Sequence, residues 1–506
     1  MTAAESGAMG ITFAEDARPA VTVVVPPDGS LDDEASRIVQ AVRRCHDVEI
    51  EILSGDRAVQ RLPTKHAIAL GCLADNPFIE TLYRRWNCLV DRWYPGEAGW
   101  VIQTITSPWR HGEHVLLLGG SDATALHTAV SEWIETLDEG STQITWRLKV
   151  QLGREHLPLP EDRIDVMGTS ASMVATPESA LPTQPYESGW TSEQASGPAQ
   201  QHLLRLGMYG PHADNFHLSR SSQLGLRYLY TGREEDAQGY RKALLAEARA
   251  GVIAKLYHYK SLRMFQLWGL LAPSPVFTDD DREEISSAIR DYLLNESGIA
   301  QIDAIRSASI PTQIFSRHHA CEALNLWAGA DWLWRQTGES RWLADRAIAD
   351  AYFESQAGTD VPLTGLTEGY ASYLEVVLEW MLLSCPERIA DDTHIRLWAE
   401  RVLGLCTNMG QLVLGPQTDN GRYPYHLLRK LTFLLNDGRF LLASNLREHQ
   451  VKAGIDRVLQ FSAGQAYAGD VEASEPSGDA GMTIYPVNER LRSWQAPSIA
   501  ADRGFD

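Results

Sequence analysis

A helical-hairpin pattern that occurs twice constrains this chain most. The first copy reads Gln223-Leu-Gly-Leu-Arg-Tyr-Leu-Tyr-Thr231-Gly232 and continues into Arg233-Glu-Glu-Asp-Ala. The second reads Leu326-Trp-Ala-Gly-Ala-Asp-Trp-Leu-Trp-Arg-Gln-Thr337-Gly338 and continues into Glu339-Ser-Arg-Trp-Leu-Ala-Asp. Each is an apolar-faced helix that stops at Thr-Gly and is followed by the acidic first turn of another helix. Glycine ends a helix because it enters the left-handed conformation at no steric cost. Acidic groups suit a helix N-terminus because the backbone N–H groups there carry partial positive charge. Helix pairs repeated along a chain point to an array, closed into a ring or stacked into a solenoid. In a ring, chemistry belongs in the central cavity. His318 and His319 stand just before the second copy, a position on the rim.

The rest of the chain divides by texture. Residues 20–153 read as an α/β domain. Strands are expected at Val21-Thr-Val-Val-Val, Val48-Glu-Ile-Glu-Ile-Leu, Ala67-Ile-Ala-Leu-Gly, Val115-Leu-Leu-Leu-Gly-Gly and Gln143-Ile-Thr-Trp-Arg-Leu-Lys-Val. Helices are expected from Asp32 to Arg44 and from Ala123 to Leu137, and such alternation favours a layered sheet. Gly119-Gly-Ser-Asp122 lacks the spacing of a phosphate loop and reads as a turn in which Ser121 or Asp122 caps the next helix. Residues 154–199, rich in Pro, Ser, Thr, Gly and Glu, form an irregular linker. From 200 to 460 the pattern is helical almost throughout, with segments near 219–231, 238–255, 260–271, 279–296, 318–337, 340–355, 368–384, 391–408 and 424–434. Residues 461–506 change again; Thr483-Ile-Tyr-Pro-Val looks like a strand, and a third domain has barely begun when the chain stops.

A chain of 506 residues is too long for one core, so two or three domains are expected. A net charge of −21 argues against nucleic acid as a partner, because phosphate binding needs a basic surface. It leaves room for an anionic small substrate held by local Arg and His groups, since distant charges are screened within about 10 Å. The 15 tryptophans have two readings, packing between helices or stacking on sugar rings. The cysteines at 45, 72, 88, 321, 385 and 406 are scattered singly without zinc spacing and read as small core residues, so no metal site is expected. The N-terminus has no secretory pattern, and no stretch approaches the ~20 apolar residues of a membrane span. The expectation is a cytoplasmic protein with reduced thiols and no membrane partner.

Three motifs in the helical region bear a family likeness: Asn215-Phe-His217-Leu-Ser-Arg220, Ser316-Arg317-His318-His319-Ala-Cys-Glu-Ala-Leu, and Thr367-Glu368-Gly-Tyr370-Ala-Ser-Tyr373. In this order the chain resembles the heparinase II/III-like polysaccharide lyases, including alginate and oligo-uronate lyases. The resemblance covers residues 200–460. It implies a multidomain α/β plus all-α fold: an N-terminal α/β sandwich domain, an (α/α) toroid, and the start of a β-sandwich. Asp75-Asn-Pro-Phe-Ile, Tyr94-Pro-Gly-Glu-Ala-Gly-Trp and Val115-Leu-Leu-Leu-Gly-Gly-Ser-Asp also look like a domain that precedes carbohydrate-active catalytic domains. Two departures stand out. The family has Asn before the toroid histidine, where this chain has Arg317. The chain also ends about where the β-sandwich should begin, so most of that sandwich is expected to be missing. No cofactor is evident, and a metal, where the family uses one, belongs to that missing domain.

The resemblance implies β-elimination from a uronic-acid glycan, an anionic poly- or oligosaccharide. Three jobs follow. The carboxylate must be neutralised, a base must take the adjacent proton, and an acid must protonate the leaving oxygen. His318 and Tyr370 are the candidate base and acid, with Tyr373 the rival one helical turn on. Arg317 stands in for the Asn as carboxylate clamp, because guanidinium binds carboxylate bidentately. Asn215, His217, Arg220, His319, Glu368, Tyr423 and His426 are candidate substrate contacts, the last two in a rim loop with Tyr425. Each also has a bland reading: a cap, a packing residue or a helix-start acid. Two other functions compete. A toroidal glycoside hydrolase needs two carboxylates roughly 5–9.5 Å apart, for which Glu322, Glu368 and Glu375 are available. A truncated, non-catalytic carbohydrate-binding relative is the other.

Overall fold

The computed structural model describes residues 11–15, 18–63, 65–92, 94–137, 143–154, 219–256, 258–296, 298–308, 317–357, 368–404, 425–453 and 469–475. The protein is mixed α/β, with an N-terminal sheet followed by a largely helical remainder. It divides into two compact units. The first is Met1–Ile299 with Ala328–Arg346 and Ala463–Gln465; the second is Ala300–Trp327 with Ala347–Ser462 and Ala466–Asp506.

In the first unit the strands are β1 (Ile11–Thr12), β2 (Ala14–Glu15), β3 (Arg18–Pro19), β4 (Val21–Val25), β5 (Glu51–Ser54), β6 (His66–Gly71), β7 (Trp100–Ile105), β8 (Val115–Gly120), β9 (Gln143–Ile144) and β10 (Leu148–Gln151). The main sheet has the order β10-β7-β8-β6-β4-β5. Strands β5, β4, β6 and β8 are parallel, and β7 and β10 add antiparallel at one edge. Every residue of β6, β7 and β8 is buried, as expected for strands covered on both faces. Helices α1 (Asp32–His46), α2 (Gly55–Gln60), α3 (Pro77–Arg84) and α4 (Ala123–Ile134) join these strands. One face of the sheet closes on Ile38 and Val42 of α1 and Val130 and Trp133 of α4.

The sheet departs from the expectation in two places. Strand β7 is additional: Trp100-Val-Ile-Gln-Thr-Ile is buried throughout, Gln103 and Thr104 included, and so shows no apolar–polar alternation. The expected last strand is two. Strand β9 pairs with β1, whereas β10 pairs with β7. Between them Arg147 is tied to Thr104, its N–H donating to Oγ1 at 3.1 Å and its carbonyl accepting the Thr104 N–H at 2.8 Å.

The helices that follow are α5 (Arg220–Thr231), α6 (Glu234–Arg249), α7 (His258–Leu271), α8 (Asp279–Leu294), α9 (Ala300–Ser307), α10 (Arg317–Thr337), α11 (Trp342–Ala357), α12 (Glu368–Ser384), α13 (Thr393–Gly404), α14 (Tyr425–Leu435) and α15 (Gly438–Ala453). All nine segments expected from periodicity are present, and α9 and α15 are additional. The repeated Thr-Gly has one local geometry in both copies. Gly232 and Gly338 take φ of 64° and 69°. Their N–H groups donate to Tyr228 O and Trp334 O, each at 2.8 Å. Thr231 Oγ1 then accepts the Arg233 N–H, and Thr337 Oγ1 the Glu339 N–H, each at 3.2 Å. The threonine thus satisfies the first amide beyond the glycine. The copies differ in what comes next: Glu234, Glu235 and Asp236 lie in the first turn of α6, whereas Glu339 precedes α11 and Asp345 is the acid of its first turn. Among the described residues no helix is long and apolar enough to cross a membrane. The linker beyond Arg154 and the expected strand at Thr483 lie outside the described residues.

Candidate functional site

Helix α10 begins at Arg317, so His318 and His319 lie within its first turn rather than ahead of it, and both are half-buried. Burial lowers the His319 pKa, which favours a neutral imidazole. Glu368, Tyr370 and Tyr373 occupy the first two turns of α12. His426 is the second residue of α14. Arg220 is the first residue of α5 and is exposed. Asn215, His217 and Tyr423 lie outside the described residues.

Below the starts of α10, α12 and α14 run stripes of polar residues, set by helical spacing. On α10, His318, Glu322 and Asn325 fall at i, i+4 and i+7. Glu322 and Asn325 are buried, and Asn325 Nδ2 donates to Glu322 Oε2 at 3.5 Å. On α12, Glu368, Glu375 and Glu379 fall at i, i+7 and i+11. On α14, His426 and Lys430 fall at i and i+4. Glu379 and Lys430 are both buried and form an ion pair that joins α12 to α14. Arg429 is buried next to Lys430 in sequence.

The same helices are fixed by a second polar contact. Asp350 Oδ1 of α11 accepts the indole N–H of Trp327 at 2.7 Å and of Trp380 at 2.9 Å, linking α10, α11 and α12. Trp380 also stacks on Phe353 with ring centroids 5.0 Å apart. Trp133, Trp268, Trp342, Trp380 and Trp398 are fully buried, which is the packing role. Sequence reasoning did not single out Asn325, Glu379, Arg429 or Lys430. The available signal was a charge inside an apolar run, as in Val376-Val-Leu-Glu379-Trp-Met and Leu427-Leu-Arg429-Lys430-Leu.

In the first unit, Ser219 caps α5 by accepting the Ser222 N–H. The neighbouring Ser221 donates its hydroxyl to Glu247 Oε2 at 2.5 Å. Burial raises the Glu247 pKa, and burial brings Lys260 down to about 8 although Glu247 opposes the shift. This buried pair lies beneath the start of the helix that carries Arg220.

Among the described residues the strand ends of the α/β domain where a dinucleotide would bind are occupied by side chains. In such sheets ligands bind at the carboxyl ends of adjacent strands whose connections leave in opposite directions, here β4 and β6. Asn76 occupies that point: its Nδ2 donates to Leu70 O at 2.8 Å and Val24 O at 3.4 Å, and its Oδ1 caps α3. Asp122 caps α4, accepting the Ala125 N–H at 2.9 Å, and Ser121 Oγ accepts the Gly96 N–H at 3.2 Å. A carboxylate at that helix start disfavours phosphate. Tyr94 is likewise structural, its hydroxyl donating to Tyr230 O at 3.0 Å.

Among the described residues no group of three or more His, Cys, Asp or Glu is placed to hold a metal ion. The described cysteines are all free; Cys72, Cys88 and Cys321 are buried, and Cys45 and Cys385 half-buried. These features define a mixed α/β protein in which an N-terminal sheet precedes a largely helical remainder. No family model matches the chain, and no curated protein matches it.

Proposed function

We propose that the helices form an (α/α) toroid, followed by the first part of a β-sandwich, and that the protein cleaves uronic-acid glycans by β-elimination. One observation carries this reading. Candidate residues chosen from separate motifs fall at the starts of α10, α12 and α14, alternate helices along the chain whose starts all belong to the second unit. In an array of antiparallel hairpins alternate helices run the same way, so their N-terminal ends share one mouth. Helix N-termini also favour an anionic ligand.

In this mechanism Arg317 clamps the uronate carboxylate and so acidifies the adjacent proton. His318 takes that proton, and Tyr370 protonates the leaving glycosidic oxygen, with Tyr373 the alternative acid one turn on. His319, held neutral by burial, lies beside the base. Asn215, His217, Arg220, Glu368, Tyr423 and His426 contact the sugar chain. A hydrolase is less well supported: it needs two available carboxylates, and of Glu322, Glu368 and Glu375 the first is buried and accepts from Asn325.

The test is incubation with alginate, heparan, hyaluronan and bacterial uronate exopolysaccharides. The ultraviolet absorbance of the unsaturated uronate is followed beside the yield of new reducing ends. Both should rise together on at least one glycan. New reducing ends without absorbance would make the protein a hydrolase; glycan retained but uncut would make it a binding protein.

A further inference from the structure

Asp331 of α10 is surrounded by three guanidinium groups. Arg335 Nε, one turn along, donates to Oδ2 at 2.8 Å, and Arg346 Nη1 of α11 donates to Oδ1 at 2.8 Å. Arg85, which ends α3, brings Nη2 to 3.8 Å from Oδ2. One carboxylate thus faces three cations that stay protonated at any physiological pH.

The surplus falls on Arg85. Arg335 Nη1 also donates to Ser107 O at 2.7 Å, and the Arg346 guanidinium lies 5.3 Å from the Trp334 ring. Among the described residues the Arg85 guanidinium makes no hydrogen bond, and its one carboxylate neighbour is the long contact to Asp331. Its side chain is 18% exposed. Burial, with repulsion from Arg335 and Arg346, outweighs the attraction of Asp331 and brings its pKa down to about 10. An unmatched, half-sheltered guanidinium is costly in a fold and useful to a ligand.

The backbone holds it there. Trp86, the next residue, is buried with φ of 60°. Its N–H donates to Tyr83 O at 2.9 Å, and the Asn87 N–H donates to Leu82 O at 2.8 Å, closing α3. The Arg263 guanidinium stands 5.0 Å from the Trp86 ring. A left-handed tryptophan is strained, and such outliers persist where the surroundings enforce them.

We propose that Arg85, Arg335 and Arg346 form a binding site for a small oxyanion, a carboxylate or sulfate group seated against the Arg85 fork. It uses none of the residues assigned to the elimination and stands or falls independently of it.

The test is thermal unfolding of the full chain in millimolar sodium sulfate or sodium glucuronate, against sodium chloride at matched ionic strength. A saturable rise in Tm beyond chloride is expected with one or both anions, and Arg85→Gln should abolish it. Arg85→Lys, which keeps the charge and loses the fork, should weaken apparent binding about tenfold. In chloride alone Arg85→Gln should unfold at the same or a higher temperature, because repulsion is relieved. A larger response to glucuronate would assign the site to an acidic sugar, and a larger response to sulfate to a free inorganic anion; either supports it. Three results would overturn it: no saturable rise beyond chloride, a response that survives Arg85→Gln, or a lower Tm or lost fold of that variant in chloride. The last would make Arg85 a structural clamp.

Discussion

His114 makes the first unit sensitive to acid. Its Nδ1 accepts the Ser107 N–H at 3.1 Å, which requires a neutral ring, and it stacks on His66 at 5.2 Å. Burial, with the neighbouring His66, lowers its pKa from 6.5 to about 4. The unfolded chain takes up a proton near pH 6.5 and the folded chain only near pH 4. Stability therefore falls as pH drops through that window, by at most about 3 kcal/mol. Urea midpoints at pH 7 and pH 5 should differ less in His114→Gln, which keeps an acceptor and does not titrate; an unchanged difference would remove His114 as the cause. Asn76→Ala should cost about 2–3 kcal/mol in the same assay, since it removes a cap and leaves two buried carbonyls without their partner. A loss below about 0.5 kcal/mol, the size of an ordinary surface change, would mean that water replaces the amide. The sequence presents Asn76 only inside Asp75-Asn-Pro-Phe. Its bonds reach Val24 and Leu70, on strands far apart in the chain, and no local pattern encodes that meeting.

At the scale of the element, the stops are where sequence and structure agree best, because their causes are local. Gly232 is needed for its left-handed φ, and a Cβ there would also meet Val150 N at 3.1 Å. Gly232→Ala should destabilise by about 1–2 kcal/mol. Gly239, inside α6, has ordinary φ, and a Cβ would lie 3.9 Å from Leu224. Gly239→Ala should instead stabilise by about 0.5–1 kcal/mol. Equal effects from the two substitutions would contradict the assigned geometry. Helix α12 begins and ends where periodicity expects it, from Glu368 to Ser384. Strand β7 and the break between β9 and β10 were not legible, because they depend on pairing with β8 and β1 rather than on any repeat within the strand. Of the candidate residues, the histidine pair and Glu368-Gly-Tyr stand out in the sequence as motifs at helix starts. Buried Glu379 and Lys430 do not, since their pairing joins residues 51 apart in the chain.

Across the whole molecule, the order of an α/β sheet followed by helices is legible from periodicity. The division into compact units is not: one of its boundaries falls between Trp327 and Ala328, inside α10, where the apolar pattern continues unbroken. The Glu379–Lys430 pair ties together two of the helices that carry the candidate site. Lys430→Met should cost about 3–5 kcal/mol by taking the cation away from a buried carboxylate, and Glu379→Leu added to it should recover much of the loss. A double variant no more stable than the single would show that the pair does not act as a unit. The central claim concerns the starts of α10 and α12, and one measurement addresses it most directly. It is the ultraviolet trace of unsaturated uronate formed by the native chain, His318→Ala and Tyr370→Phe on the same glycan, each variant first shown to be folded. The account predicts a rising trace for the native chain and at least a hundredfold slower trace for both variants, the size of a lost general acid or base. Folded variants that cleave as fast as the native chain would contradict it.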